Sequence, residues 1–138
     1  MLEWRNSFYS HVVQKSFEDS LKNKEDVIRV INKEFNELAE PVKELSKVHK
    51  NEGIYRYQIY DRILEVDFQD TTVKFYQIYL GSFDHEEKEK RLVTEFIHNG
   101  NVFVEPDERR GQPDRFISKR NIDEIFKNVF TFGSAIRY

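Results

Sequence analysis

The spacing of the apolar residues changes near the middle of this chain, and that change constrains the fold more than any other feature. Before Gly53, apolar side chains recur at steps of three and four, which is the repeat of an amphipathic helix. After Gly53, β-branched and aromatic residues dominate short runs, as they do in β-strands. We therefore predict a helical half over residues 1–50 and an antiparallel sheet over residues 53–105.

The helical half contains two apolar stripes, separated by a predicted N-cap at Asn23. The first stripe consists of Leu2, Phe8 or Tyr9, Val12, Val13, Phe17 and Leu21. The second consists of Val27, Ile28, Ile31, Phe35, Leu38, Val42, Leu45 and Val48. Pro41 lacks a backbone donor and crowds the preceding helical turn, so it predicts a kink or a break in the second helix.

Four or five strands are predicted after Gly53. Asp61-Arg62 is either a bend between two short strands or a point within one long strand. Residues 73–80 and 92–97 predict two further strands. Asn99-Gly100 indicates a hairpin, because both residues tolerate positive φ, and residues 102–104 are the predicted returning strand.

A charged loop over residues 106–118 and a helix over residues 121–132 complete the predicted fold. Asn121 is the predicted cap of this helix, and Glu124 stands where it can reach back to the cap. Helices followed by strands and a last helix favour an α+β class. We predict one domain over residues 1–138, in which a single layer of helices packs on an antiparallel sheet.

Composition excludes several classes of protein. Aromatic residues make up 14% of the 138 residues and the net charge is only −3, whereas disordered chains are poor in aromatics and highly charged. No apolar run approaches the ~18 residues of a membrane span. The chain lacks cysteine and does not start with a signal-peptide pattern, so we expect a cytoplasmic protein without membrane contact. A pI near 5.8 argues against general nucleic-acid binding.

The motifs of common enzyme classes are not found in the sequence. It contains no GxGxxG, GxxxxGK[ST] or GxSxG, and its four histidines show no HxxxH or HExxH spacing. The acidic residues around His85 are interpreted as a solvated connection rather than a metal site. Glu65 and Asp67 share one face of a strand and are interpreted as its solvent-facing side. We expect no cofactor and no metal, and a non-enzymatic function is favoured.

Basic residues before the last helix indicate an alternative function, the binding of an anion. The candidate anion contacts are Arg109, Arg110, Arg115 and Arg120. A helix N-terminus attracts anions through its free N–H groups and its dipole, so a phosphate-like ligand or a weak enzymatic site is conceivable here. The competing interpretation is a loop whose charges pair with one another.

Tyrosines are concentrated in the first half of the predicted sheet. The candidate interaction surface consists of Tyr55, Tyr57, Tyr60, Tyr76 and Tyr79. Tyrosine is favoured at interfaces, because one end of its side chain is apolar and the other polar. We therefore predict a binding module whose tyrosine-rich sheet face or edge binds a protein partner or a second copy, with a dimer as the expected assembly.

Two other interpretations of the tyrosines are kept. They can pack between the sheet and the helices as part of the core. They can also stack the bases of a single-stranded nucleic acid, but neighbouring acidic residues offset the basic ones, which disfavours that partner.

Overall fold

The computed structural model describes residues 3–105 and 115–131, apart from the side chains of Ser16, Phe17 and Arg115. The helices in this part are α1 (Glu3–Glu18), α2 (Lys24–Ala39) and α3 (Lys119–Phe130). The strands are β1 (Ser46–Asn51), β2 (Ile54–Ile59), β3 (Arg62–Phe68), β4 (Thr72–Leu80), β5 (Glu87–His98), β6 (Phe103–Glu105) and β7 (Arg115–Phe116). The predicted α+β class is confirmed.

The seven strands form one antiparallel sheet in the order β1 to β7, so each strand pairs with its neighbour in the sequence. The sheet has more strands than the four or five predicted. Two of the additional strands, β1 and β7, are its edges. None of the helices in the described ranges is both long enough and apolar enough to cross a bilayer.

The second helix breaks at the predicted place. α2 ends at Ala39, and Glu40–Leu45 forms a short 3₁₀ helix with Pro41 in its first turn. Val42 then leaves helical geometry, with φ −130° and ψ 32°. Proline is tolerated at the start of such a turn because its missing N–H would have no partner there.

The prediction of helix up to residue 50 is wrong, because residues from Ser46 onward form β1. A two-residue turn at Glu52 and Gly53 folds β1 back onto β2, and both residues have positive φ, 47° and 85°. Such a turn matches the twist of an antiparallel hairpin. Val48 continues the spacing of the α2 stripe only by coincidence, since it lies in a strand.

Two further turns define the middle of the sheet. Of the alternatives at Asp61-Arg62, the structure has a bend, formed by Tyr60 and Asp61, and Arg62 is the first residue of β3. The predicted hairpin at Asn99-Gly100 is confirmed, but its loop spans residues 99–102, only Gly100 of the pair has positive φ, and the returning strand is Phe103–Glu105 rather than 102–104. The Asn99 side-chain oxygen accepts hydrogen bonds from the backbone N–H groups of Asn101 and Val102, at 3.0 and 3.1 Å.

α2 and α3 cover one face of the sheet and form the core with it. The buried helical residues are Val27, Ile31, Phe35 and Ala39 on α2, and Ile122, Ile125, Phe126 and Val129 on α3. The buried sheet residues that meet them include Tyr57, Leu64, Val66, Val73, Phe75 and Phe96. The predicted helical layer is therefore confirmed for α2 and α3.

α1 does not belong to that layer. Every α1 side chain that the structure describes is exposed, so the expectation that its apolar stripe packs on the sheet is wrong. The segment after α1 is anchored instead. The Leu21 backbone N–H donates to the Ile117 carbonyl at 2.7 Å, and the Leu21 carbonyl accepts from the Phe103 N–H at 2.9 Å.

The last helix is confirmed with corrected ends. α3 starts at Lys119 because Ser118, not Asn121, is its N-cap. Asn121 is the third helical residue, and its side-chain oxygen accepts the Ser118 backbone N–H at 3.0 Å in a capping box. The prediction of a loop up to residue 118 is wrong at residues 115 and 116, which pair with β6, while residues 106–114 lie outside the described part.

Candidate interaction surfaces

Two of the candidate tyrosines lie on the helix-covered face of β2. Tyr57 is only 1% exposed, its ring centroid lies 5.2 Å from that of Phe35, and its hydroxyl donates to Asn32 Oδ1 at 2.7 Å. Burial, with a smaller contribution from Tyr55, raises the pKa of Tyr57 well above its ordinary value. Tyr55 is half-buried against Tyr57 and Phe68. Tyr57 is therefore a core residue and cannot contact a partner in the folded protein.

The other three tyrosines lie in three different places. Tyr79 is on the helix-covered face, with its ring 4.9 Å from the Arg62 guanidinium. Tyr76 is on the opposite face, with Lys90 Nζ 4.5 Å from its ring. Tyr60 is half exposed in the β2–β3 turn. The five tyrosines thus do not form one surface, and the interpretation as core packing holds best for Tyr57.

Arg62 connects the sheet with the end of α3. It is 5% exposed, and its Nη1 lies 3.0 Å from the Thr131 carbonyl oxygen and 3.4 Å from that of Val129. The Gln77 side chain donates to the Asn128 carbonyl at 3.4 Å. Carbonyls at a helix C-terminus have no partner within the helix and carry partial negative charge, so a cation here stabilises α3.

The opposite face of the sheet carries a network of ion pairs. Glu65 is 3% exposed, and its carboxylate lies 2.9 Å from Arg56 Nε and 2.7 Å from Lys90 Nζ. Arg56 also pairs with Glu87. Burial opposes the charge of Arg56, but its hydrogen bonds to Glu87 and Glu65 outweigh burial and raise its pKa. The interpretation of Glu65 as solvent-facing is therefore wrong, because it is buried between two cations.

The acidic segment around His85 forms local contacts. Asp84 accepts from Lys88 Nζ at 2.8 Å, and the His85 ring packs edge-on against Tyr60. Among the described residues, no group of three or more His, Asp or Glu side chains is placed to hold a metal ion.

The candidate anion contacts are only partly described. Arg120 is 87% exposed, and its Nε lies 3.6 Å from Glu124 Oε1 one helical turn along α3. Arg109, Arg110 and the side chain of Arg115 lie outside the described residues. An anion site at this loop therefore stays a prediction.

An exposed apolar surface runs along α1. This α1 surface consists of Trp4, Phe8, Tyr9, Val12 and Val13, which are between 46% and 66% exposed. Trp4, Phe8 and Val12 follow one another at steps of four, so they form a single row on the helix, with Tyr9 and Val13 in the adjacent row, which begins with Arg5. Ser7, Ser10 and Gln14 form the polar side.

The composition of α1 does not favour an isolated helix. Aromatic, β-branched and small polar residues, all of lower helix propensity than alanine or leucine, make up most of its 16 residues. Helices of about this length are marginal in water unless one face packs on another surface. The α1 surface is therefore the part of the described structure that most needs a partner.

A second apolar surface is concave and lies beside the end of α3. This groove has a volume of about 340 Å³ and is lined by Leu38, Val42, Leu45, Ile59, Tyr60, Arg62 and Phe130. Sequence reasoning assigned Leu38, Val42 and Leu45 to one helical stripe. The spacing indicated that they share a face but not that the face stays partly open.

The chain was compared with protein-family models, with curated proteins and with solved structures, and nothing in any of these three sets matches it.

Proposed function

We propose that this protein is a non-enzymatic interaction module that associates with a second copy of itself through the α1 surface. The observation that carries the proposal is the exposure of five large apolar side chains on one 16-residue helix. Apolar patches of this kind mark interaction sites more often than free surface. A cytoplasmic location is proposed with it, since a chain without cysteine needs no oxidising compartment.

The shape of α1 suits an identical helix as its partner. Two copies related by a twofold axis perpendicular to α1 would run antiparallel, with their apolar rows in contact. A 16-residue helix is about 24 Å long, so the pair offers a continuous apolar contact.

The assembly can be measured directly because Trp4 is the single tryptophan of the chain. Sedimentation velocity over a range of concentrations is expected to show a monomer converting to a dimer. The Trp4 emission is expected to shift to the blue over the same concentrations, because its ring leaves water. A dimer that forms without any change in Trp4 emission would contradict α1 as the contact.

Matched variants test which side of α1 makes the contact. Phe8→Asp places a charge on the α1 surface, whereas Ser10→Asp places the same charge on the polar side of the same helix. Phe8→Asp is expected to weaken dimerisation by tenfold or more, about 1.4 kcal/mol, and Ser10→Asp to leave it unchanged. Equal effects of the two variants, or a monomer at every concentration, would refute self-association through α1.

A further inference from the structure

We infer that the groove beside the end of α3 is a docking site for residues 132–138 of the same chain. The groove is lined by apolar side chains from three separate segments, namely Leu38 of α2, Leu45 of the 3₁₀ helix and Tyr60 of the β2–β3 turn. Leu45 is 54% exposed and Tyr60 50% exposed. Covering them removes apolar surface from water, which stabilises the covered state.

The end of the described chain lies at this groove. Phe130, the last residue of α3, lines it, and Thr131 follows with an extended backbone, φ −104° and ψ 121°. The Thr131 carbonyl accepts from Arg62 Nη1 at 3.0 Å, and Arg62 also lines the groove. The described chain therefore ends at the wall of the groove, so the entropic cost of bringing the next residues to it is small.

The length and chemistry of the segment suit the groove. Seven residues reach at most about 23–25 Å, which is enough to cover the neighbouring cleft without a linker. The segment carries Phe132, Ile136 and Tyr138. A volume of about 340 Å³ lies at the small end of ligand clefts, so the groove accommodates a few side chains rather than a folded element.

The absence of cysteine from the chain allows a direct test of contact by disulfide trapping. The test pair is Leu45→Cys with Ile136→Cys in the full chain. The control pair is Leu92→Cys with Ile136→Cys. Leu92 is 48% exposed, similar to Leu45, but it pairs with Tyr76 and so lies on the face of the sheet away from the helices.

Under mild oxidation of dilute protein, the test pair is expected to form an intramolecular disulfide about tenfold faster than the control pair. Far-UV circular dichroism would confirm that both variants are folded. Equal rates, or no bond in the test pair, would overturn the proposal. A covalent dimer formed by the test pair would also overturn it, because the groove would then take the segment of a second copy.

Thermal unfolding of full-length variants gives an independent measurement. Ile136→Asp places a charge on an apolar residue proposed to dock, and Ala135→Asp places the same charge one position earlier, on a residue with little apolar surface. Ile136→Asp is expected to lower the Tm by several degrees and Ala135→Asp to change it much less. Similar Tm values for the two variants would contradict docking of this segment.

Discussion

The side chain of Tyr57 packs in the core and forms a hydrogen bond there. Its ring packs against Phe35 within the core, while its hydroxyl meets Asn32 Oδ1 on α2 at 2.7 Å. Burial makes the ionised phenolate unfavourable, which is why the pKa of Tyr57 rises. The residue therefore couples the stability of the fold to alkaline pH.

Replacing Tyr57 by phenylalanine tests this coupling. At pH 7 to 9, Tyr57→Phe is expected to lower the free energy of unfolding by about 0.5–1.5 kcal/mol, because the hydrogen bond to Asn32 is lost. The raised pKa means that the stabilisation by Tyr57 is fully present below the unfolded pKa of about 10 and is lost as the pH rises beyond it. The parent protein should then lose stability more steeply than Tyr57→Phe above about pH 10.

Chemical denaturation at several pH values would measure this difference. Tyr60→Phe is a suitable control, because Tyr60 is half exposed in a turn and its hydroxyl can reach water. Parallel pH profiles of Tyr57→Phe and the parent protein would show that Tyr57 has no part in the alkaline loss of stability.

At the scale of single elements, α3 depends on the sheet at its C-terminus. A buried arginine from β3 contacts the carbonyls of Val129 and Thr131, and a glutamine from β4 donates to that of Asn128. These contacts replace the cap that a glycine commonly provides at a helix end. Their loss would leave carbonyl groups buried without a donor.

Arg62→Met should measure the importance of this contact. The variant keeps an apolar chain of similar length but removes the guanidinium. We expect the free energy of unfolding to fall by about 2–3 kcal/mol, because buried carbonyls lose a charged donor. Arg120→Met is the matched control, because Arg120 is 87% exposed and forms only a surface ion pair, so we expect a change within about 0.5 kcal/mol. Denaturant titrations that give the two variants equal stability would contradict the role of Arg62.

The ends of the elements show what the sequence could and could not predict. The spacing of Ile31 and Phe35 predicted α2, and Pro41 predicted where it breaks. The same spacing extended to Val48, which lies in a strand, because a three-residue step can arise by chance in a short segment. β1 depends on its pairing with β2, which is a contact between segments and leaves no periodic signal of its own.

At the scale of the whole molecule, two apolar stripes have different surroundings. Phe35 of α2 is 3% exposed, whereas Phe8 of α1 is 56% exposed, although the apolar residues of both helices recur at steps of three and four. Periodicity indicates which residues share a face, but not which surface that face meets. The α1 surface and the groove could therefore not be predicted, and the five tyrosines were grouped by sequence although the sheet separates them.

Hydrogen exchange would show the difference between the exposed helix α1 and the helices and strands that form the core. In dilute protein, the backbone amides of α1 are expected to exchange fastest among the helices, because no other described element buries α1. The amides of α2, α3 and the central strands should be protected, since their side chains form the core. Protection of α1 should then rise with protein concentration as the dimer forms. Protection of α1 equal to that of α2 at the lowest concentration would show that α1 packs on its own domain.

The order of the strands has a consequence for how the chain folds. From β1 to β6, each strand pairs with the strand before it across a short connection. Forming most of the strand pairs therefore closes only short loops. Proteins with such local pairing fold quickly for their size. The contact of Leu21 with Phe103 and Ile117 is the opposite case, because it joins segments far apart in the chain. We therefore expect the hairpins to form early and the N-terminal segment to join the sheet late in the folding reaction.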